Sequence, residues 1–336
     1  MKLFGKDLDL DVVVVAEIGV NHEGDPAAAQ RMISLAKSAG ADAVKLQTYN
    51  PDRYASATDS ARLERVRRFS LDFDAHRTLA TFAEGIGIPL FSTALTEDVV
   101  SFLASWCPVI KIASGDLDFE PTVRGVAATG KPLIISTGNG TEEEIARAVA
   151  WCAEEIGESL LPARLALMHC VSAYPAPIDQ ANVLSVPFLK ERFGLTTGYS
   201  NHVVEPEAVL AAVALGARLI EIHMTDKKEG RQFRDHAMSF EPEELTLLIK
   251  SIRRVEVSLG NLEKKRQPCE VPLINAMRKG VVAAKDLPKG TVLARADLMF
   301  ARPAENFRAL QVVDLIGRTL VNSLKRGESL SEKNLQ

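Results

Sequence analysis

The chain repeats one pattern eight times: a short β-branched run, a polar tip, then a stretch with helical spacing. The runs are VVVVAEIG (12–19), DAVKLQTY (42–49), IPLFSTA (88–94), PVIKIASGD (108–116), KPLIISTG (131–138), RLALMHCVSAYP (164–175), LTTGYSNH (195–202) and RLIEIHMT (218–225). They are apolar without clean alternation, which suits strands buried on both faces of a parallel sheet. Helices are expected between them. In 141–157, Ile145, Val149, Cys152 and Ile156 make one apolar stripe, with Thr141 and Glu144 as a capping box and Gly157 as a stop. A last helix over 241–260 carries Leu245, Leu248, Ile252, Val255 and Leu259 at the same spacing. Gly40, Gly87, Gly130 and Gly216 each fall near a helix end.

Eight such units in about 260 residues predict an α/β fold of the (β/α)8 TIM-barrel type. An open doubly wound sheet is the alternative. Against it, no GxGxxG follows the first run, and polar tips end all eight runs rather than clustering at one switch point. The barrel is expected to occupy residues 1–262. A charged, proline-containing linker follows over 263–276. Residues 277–336 alternate short β-prone runs with turn signals and read as a small β-rich domain.

The net charge of −4 gives no reason to expect a nucleic acid or a membrane surface as partner, so an anionic substrate must be met by locally placed cations. Cys107, Cys152, Cys170 and Cys269 are far apart and form no CxxC pair, which reads as reduced thiols in a cytoplasmic protein. The N-terminus is acidic where a signal peptide would be apolar, and no apolar run is long enough to span a bilayer.

In a barrel of this kind, the carboxyl ends of the strands share one mouth. The tips supply Glu17, Lys45, Gln47, Ser92, Thr93, Lys111, Ser114, Asp116, Ser136, Thr137, His169, Ser200, His202, Glu221 and His223. His202 and His223 end neighbouring runs and can converge on one divalent cation. Glu221 is expected to point away from its strand neighbours, and so to stay off the metal. His169 is assigned to the core, and His22 and His76 to the surface. Lysine is almost never buried without an anionic partner. Lys45 and Lys111 therefore read either as ion pairs with Glu17 or Asp116, or as cations for a doubly anionic substrate held also by Ser114, Ser136 and Ser200. Asp116 reads as a salt-bridge partner or an acid/base group.

These residues resemble a known family, the sialic acid synthases. The shared motifs are AEIGVNHEGD (16–25), AGADAVKLQTY (39–49), FSTA (91–94), KIASGD (111–116), GKPLIISTG (130–138), HCVSAYPAP (169–177), GYSNH (198–202), ALGARLIEIH (214–223), RDHAMSFEPEEL (234–245) and VVAAKDLPKGTVL (281–293). The tail resembles the antifreeze-like (SAF) domain of that family. The resemblance implies condensation of phosphoenolpyruvate with an N-acyl-mannosamine-type aldose, giving a nonulosonic acid and phosphate. It implies His202 and His223 as ligands of Mn2+, with Mg2+ or Co2+ as alternatives. It implies Lys45, Thr93, Lys111, Ser114, Ser136 and Ser200 at phosphoenolpyruvate, with Glu221 among the substrate-binding groups. Gln47, Tyr174 and Asp235 match positions near the sugar, and Asp116, Glu17 and Lys111 are the catalytic candidates. Arg302 matches an arginine that the SAF domain of a partner subunit brings over the site in a domain-swapped homodimer.

Several positions depart from the family pattern. Asp116 stands where glutamate is common in bacterial members, and SGD resembles the animal members that use a 6-phosphorylated sugar. STAL and Ser172 replace STPF and an asparagine. Arg231 and Arg234 are added cations, read either as a solvated loop or as contacts for an anion on the sugar. RPAEN replaces RPGxG around Arg302, and the loop after Tyr49 looks short, which predicts a more open mouth. Two other classes remain in view: a metal-dependent barrel isomerase or hydrolase, and a non-catalytic sugar- or surface-binding protein.

Overall fold

The structure is a computed structural model that describes every residue, Met1–Gln336, and the chain divides into two compact units, Met1–Gly260 and Asn261–Gln336. In the first unit eight parallel strands close on themselves: β1 (Val13–Gly19), β2 (Ala43–Thr48), β3 (Leu90–Ala94), β4 (Ile110–Ile112), β5 (Leu133–Ser136), β6 (Leu165–His169), β7 (Thr196–Asn201) and β8 (Leu219–His223). β8 pairs with β1, with His223 opposite Glu17, and this pairing closes the barrel. Each of the eight runs picked out in the sequence holds one strand, and the open-sheet alternative is excluded.

Alternation along the strands decides which side chains reach the interior. On β1, Val14, Ala16 and Ile18 pack outward in one cluster with Met32, Ile33 and Ala36 of the helix Pro26–Ala39. Val13, Val15 and Glu17 therefore face inward. The same parity turns Lys45 and Gln47 of β2 and Phe91 and Thr93 of β3 into the barrel. An antiparallel hairpin, Lys2–Leu3 with Lys6–Asp7, precedes the barrel; its Phe4 ring lies 5.4 Å from Phe91, sealing the end opposite the mouth.

The helix Glu142–Ile156 has the expected capping box, with Thr141 Oγ1 accepting from Glu144 N and the Glu144 carboxylate accepting from Thr141 N. Gly40 closes the helix Pro26–Ala39 in a left-handed conformation, φ 92°, its N–H donating to Ala36 O.

In the second unit, β9 (Gly280–Ala283) and β10 (Leu298–Ala301) pair antiparallel, and single bridges such as Val282–Ser329 and Leu287–Leu324 extend the pairing. Regular strand is therefore sparse, and short 3-10 turns carry much of the backbone. The stretch read as a linker is not irregular throughout: it contains a 3-10 helix, Pro268–Leu273, and a helical turn, Ile274–Met277. Gln267 and Glu270 cap it reciprocally, a signal hidden by the surrounding charges. No helix is long and apolar enough to cross a membrane.

Candidate active site

The barrel mouth opens into a cavity of about 1700 Å³. Its floor is a buried charge cluster assembled by strand register, since Glu17 stands opposite Lys45 and Thr93 opposite Lys111. Lys45 Nζ lies 2.7 Å from Glu17 Oε2 and donates to Thr93 Oγ1 at 2.7 Å. Lys111 Nζ donates to Glu221 Oε1 at 2.6 Å, and Ser200 Oγ donates to the same oxygen at 3.0 Å. Glu221 Oε2 is also 3.8 Å from Lys45 Nζ, so the two pairs form one network. Gln47 Nε2 donates to Glu17 Oε1 at 3.0 Å.

Burial works to raise the Glu221 carboxyl, but Lys111 and Lys45 outweigh it and hold it well below the usual carboxylate range. Glu17 goes the other way: burial, aided by the charge of Glu221, lifts it despite Lys45. Burial also lowers Lys111. Two expectations are corrected here. Glu221 faces the interior, because it stands two residues from His223 and shares its face. Asp116 is not the partner of Lys111; Glu221 takes that place, from the far side of the barrel.

Above the floor stand the two imidazoles, their centroids 5.3 Å apart. Nδ1 of His202 is engaged with Val171 O at 2.6 Å, which leaves Nε2 as its free nitrogen. Burial depresses His202 to about 4 and His223 well below its ordinary value, so both rings are neutral and offer lone pairs. This donor set fits a divalent ion with two protein ligands and its other positions open to water or substrate. No group of three or more His, Cys, Asp or Glu side chains is arranged to hold a metal.

The Tyr174 ring lies 4.3 Å from His202, and the Arg234 guanidinium sits 4.7 Å over Tyr174. Asp235, buried next to it, is raised by burial against the pull of Arg234. On the other flank, Ser136 Oγ is buried with no hydrogen-bond partner. Ser114 Oγ meets Cys170 Sγ at 3.0 Å and accepts from Gly138 N at 3.1 Å. A Cβ at Gly138 would come within 2.5 to 2.9 Å of Ser172 Oγ, Cys170 Sγ and Ser114 Oγ, so any larger residue there would displace these three side chains. Asp116, in the turn after β4, is pushed up to about 6 by burial and by Asp118.

One cavity thus gathers Glu17, Lys45, Gln47, Thr93, Lys111, Ser114, Asp116, Ser136, Tyr174, Ser200, His202, Glu221, His223 and Asp235. Arg302 belongs to the second unit, where its Nε–H donates to Met277 O. His169 is buried, as expected, against Ala181 O. Ser92 faces outward instead: it bonds Thr48 Oγ1, which bonds His76 Nε2, and His76 is buried rather than superficial. His22 is buried too, with Nδ1 accepting from Gly24 N. Outward hydroxyls at the same level of two adjacent strands were the available signal for a polar partner behind the sheet.

The segment after Tyr49 contains two helices, Pro51–Tyr54 and Ser60–Phe69, and contributes Tyr54, Val66 and Phe69 to the cavity lining. Arg62, Arg65 and Arg68 of that segment line the cavity and were missed. Their signal was the Leu63, Val66, Phe69 spacing behind a capping Asp59.

Comparison with known proteins decides the family. The NeuB family profile matches residues 32–264, and the SAF domain profile matches 278–336. The chain belongs to the NeuB family. It is an enzyme, and it carries a C-terminal SAF domain. It is 33% identical over 335 residues to N,N'-diacetyllegionaminic acid synthase of Campylobacter jejuni, covering 95% of this chain and 99% of that protein. It is 30% identical to human N-acetylneuraminate-9-phosphate synthase, covering 95% of this chain and 91% of that protein. Among solved structures, N-acetylneuraminic acid synthetase of Leptospira borgpetersenii superposes with a TM-score of 0.74 at 30% identity, over 79% of this chain and 90% of that one.

Proposed function

We propose that the enzyme condenses phosphoenolpyruvate with an N-acyl-mannosamine-type aldose, producing a nine-carbon 2-keto-3-deoxy acid and inorganic phosphate. The observation that carries this reading is the meeting of two buried lysines with two neutral imidazoles across one cavity, beside the unpartnered Ser136 hydroxyl. An isomerase or hydrolase would need the imidazoles but would leave the lysines without a task.

Lys45 and Lys111, with Thr93, Ser114, Ser136 and Ser200, are assigned to the carboxylate and phosphate of phosphoenolpyruvate. The ligand then shares the lysines with Glu17 and Glu221, which hold the two side chains in place across the cavity floor. Gln47, Tyr174 and Asp235 are assigned to the sugar. A divalent ion held by His202 and His223, of the Mn2+, Mg2+ or Co2+ kind, would act as a Lewis acid toward the aldehyde oxygen.

C3 of phosphoenolpyruvate attacks the aldehyde carbon, forming the C–C bond as the C=O π pair moves to the aldehyde oxygen, which takes up a proton to become a hydroxyl, and leaving positive charge at C2. Water adds at C2, and the tetrahedral carbon expels phosphate by C–O cleavage. Asp116, poised at about 6, is assigned to take the proton from that water. Glu17 is assigned to orienting Lys45.

The reading extends to a homodimer in which an exposed arginine, Arg302, completes the cavity of the other subunit. Activity regained on mixing Arg302→Ala with an inactive barrel variant would support that, and none regained would remove it.

The test of function is release of inorganic phosphate with Mn2+, across N-acetylmannosamine, its 6-phosphate, mannose and 2,4-diacetamido-6-deoxymannose. Release that requires both phosphoenolpyruvate and one of these sugars is expected. Release without any sugar, or none at all from enzyme that binds phosphoenolpyruvate, would refute the assignment.

A further inference from the structure

The rim of the same cavity carries positive charge that the condensation itself does not use. The helix Ser60–Phe69 begins at Asp59, whose side chain accepts from Arg62 N. Val66 and Phe69 anchor the helix in an apolar cluster with Val20, Tyr49 and Leu95. Arg62, Arg65 and Arg68 follow one another at three-residue steps, and all three line the cavity.

What sets them apart is the lack of a carboxylate partner. Arg231 and Arg234, also in the lining, lie 3.0 Å from Asp226 and 3.3 Å from Asp235 respectively. Arg62 and Arg68 instead rest on aromatic rings, Tyr54 at 5.3 Å and Phe69 at 4.9 Å, which fixes their stems and leaves their donors free. The positive charge of Arg65 reaches Asp235, on the sugar side of the cavity. Three acids of the lining have no ion pair: Asp116 and Asp118 follow β4, and Asp59 caps this helix, its carboxylate accepting from the Arg62 backbone N–H rather than from a guanidinium.

The direction of the acceptor follows from a second set of contacts. The Tyr174 ring lies tilted against His202 and Arg234 sits over Tyr174, so the contacts run from the imidazole pair outward to Arg234 and its partner Asp235. An aldose with its aldehyde at the imidazoles and its body along Tyr174 therefore sends its other end toward Asp235, where the charge of Arg65 arrives from the helix. Relatives at 33% and 30% identity are named for different products, one of them a 9-phosphate, so similarity does not choose between a charged and an uncharged sugar.

We infer that the acceptor is an anionic aldose, whose phosphate or carboxylate, borne on carbons remote from the aldehyde, docks on Arg62, Arg65 and Arg68. This rests on the synthase reading above. The forked guanidinium donors suit either oxyanion.

The test compares wild type with the Arg62→Gln/Arg65→Gln double variant, in the full chain with Mn2+. The acceptors are N-acetylmannosamine, its 6-phosphate and its 6-carboxylate. Phosphate release gives kcat/KM for each, and calorimetry reads acceptor binding independently of turnover. Wild type should favour a charged acceptor by at least about tenfold, and the double variant should lose most of that ratio at an unchanged thermal midpoint. The charged sugar that gains more identifies the oxyanion. A wild type indifferent to charge, or a ratio that survives the substitutions, overturns the inference. Arginine-dependent binding of a charged sugar with no phosphate release would instead overturn the synthase reading and leave the anion site standing.

Discussion

The floor of the cavity and its rim use the same kinds of charged residue under opposite conditions. On the floor, Lys45, Lys111, Glu17 and Glu221 are buried and satisfy one another at 2.6 to 2.7 Å. On the rim, Arg62, Arg65 and Arg68 are exposed and unpaired by any acid. A buried charge without its partner costs several kcal/mol, whereas an exposed one is screened by water and salt. The floor is therefore part of what keeps the barrel folded, and a substitution there changes both stability and chemistry. A substitution on the rim is expected to leave the fold untouched and to alter only what binds in the cavity.

The largest effect should come from breaking a floor pair. Lys111→Met leaves Glu221 buried with only the more distant Lys45, and should cost about 3–5 kcal/mol in denaturant unfolding along with all measurable turnover. An unchanged unfolding midpoint would mean that the floor network is not structural.

His202→Ala separates chemistry from packing within the same region. The ring lies at the mouth and bonds a single carbonyl, so the thermal midpoint should move by only a few degrees while turnover falls at least about a hundredfold. Mn2+ binding, read by titration without substrate, should weaken with it. Retained metal binding would remove His202 from the ligand set.

Asp116→Asn gives the smallest change in stability and a pH signature. The folded-state value of Asp116, about 6, lies above that of an unfolded aspartate, so the folded protein binds this proton more tightly. Wild-type stability should then decline as pH rises from about 4 through 6 and stay level above. The asparagine variant lacks that decline. It should match wild type below about pH 4 and exceed it above pH 6 by about 1 kcal/mol, since the carboxylate is partly solvated. Unfolding midpoints across this range check it. Turnover in the variant should drop about a hundredfold.

The contrast between floor and rim also marks what the sequence disclosed. Strand runs and their polar tips locate Glu17, Lys45, Lys111, His202 and His223, because inward parity and strand order convert spacing directly into proximity. Glu221 was misjudged where that same parity was applied to its neighbours and not to His223, two residues on. His22 and His76 escaped because their partners lie behind the sheet, and the pairing of Thr48 with Ser92 depends on register that composition does not reveal. The rim was the least legible. Arg62, Arg65 and Arg68 lie in a segment that reads as loop until its short apolar stripe is weighed with the Asp59 cap. The pairing of Lys111 with Glu221 joins residues 110 positions apart, and only barrel closure brings them within reach.

C–C bond formation followed by loss of phosphate through C–O cleavage is tested directly by isotope placement. Phosphoenolpyruvate labelled with oxygen-18 in its bridging position is turned over with the acceptor, and both products are weighed by mass spectrometry. The label is expected to leave in inorganic phosphate, with an unlabelled nine-carbon keto acid formed in equal amount. Label retained in the organic product, or in pyruvate, would mean that phosphorus rather than C2 is attacked, and the assignment of the floor to condensation would be wrong.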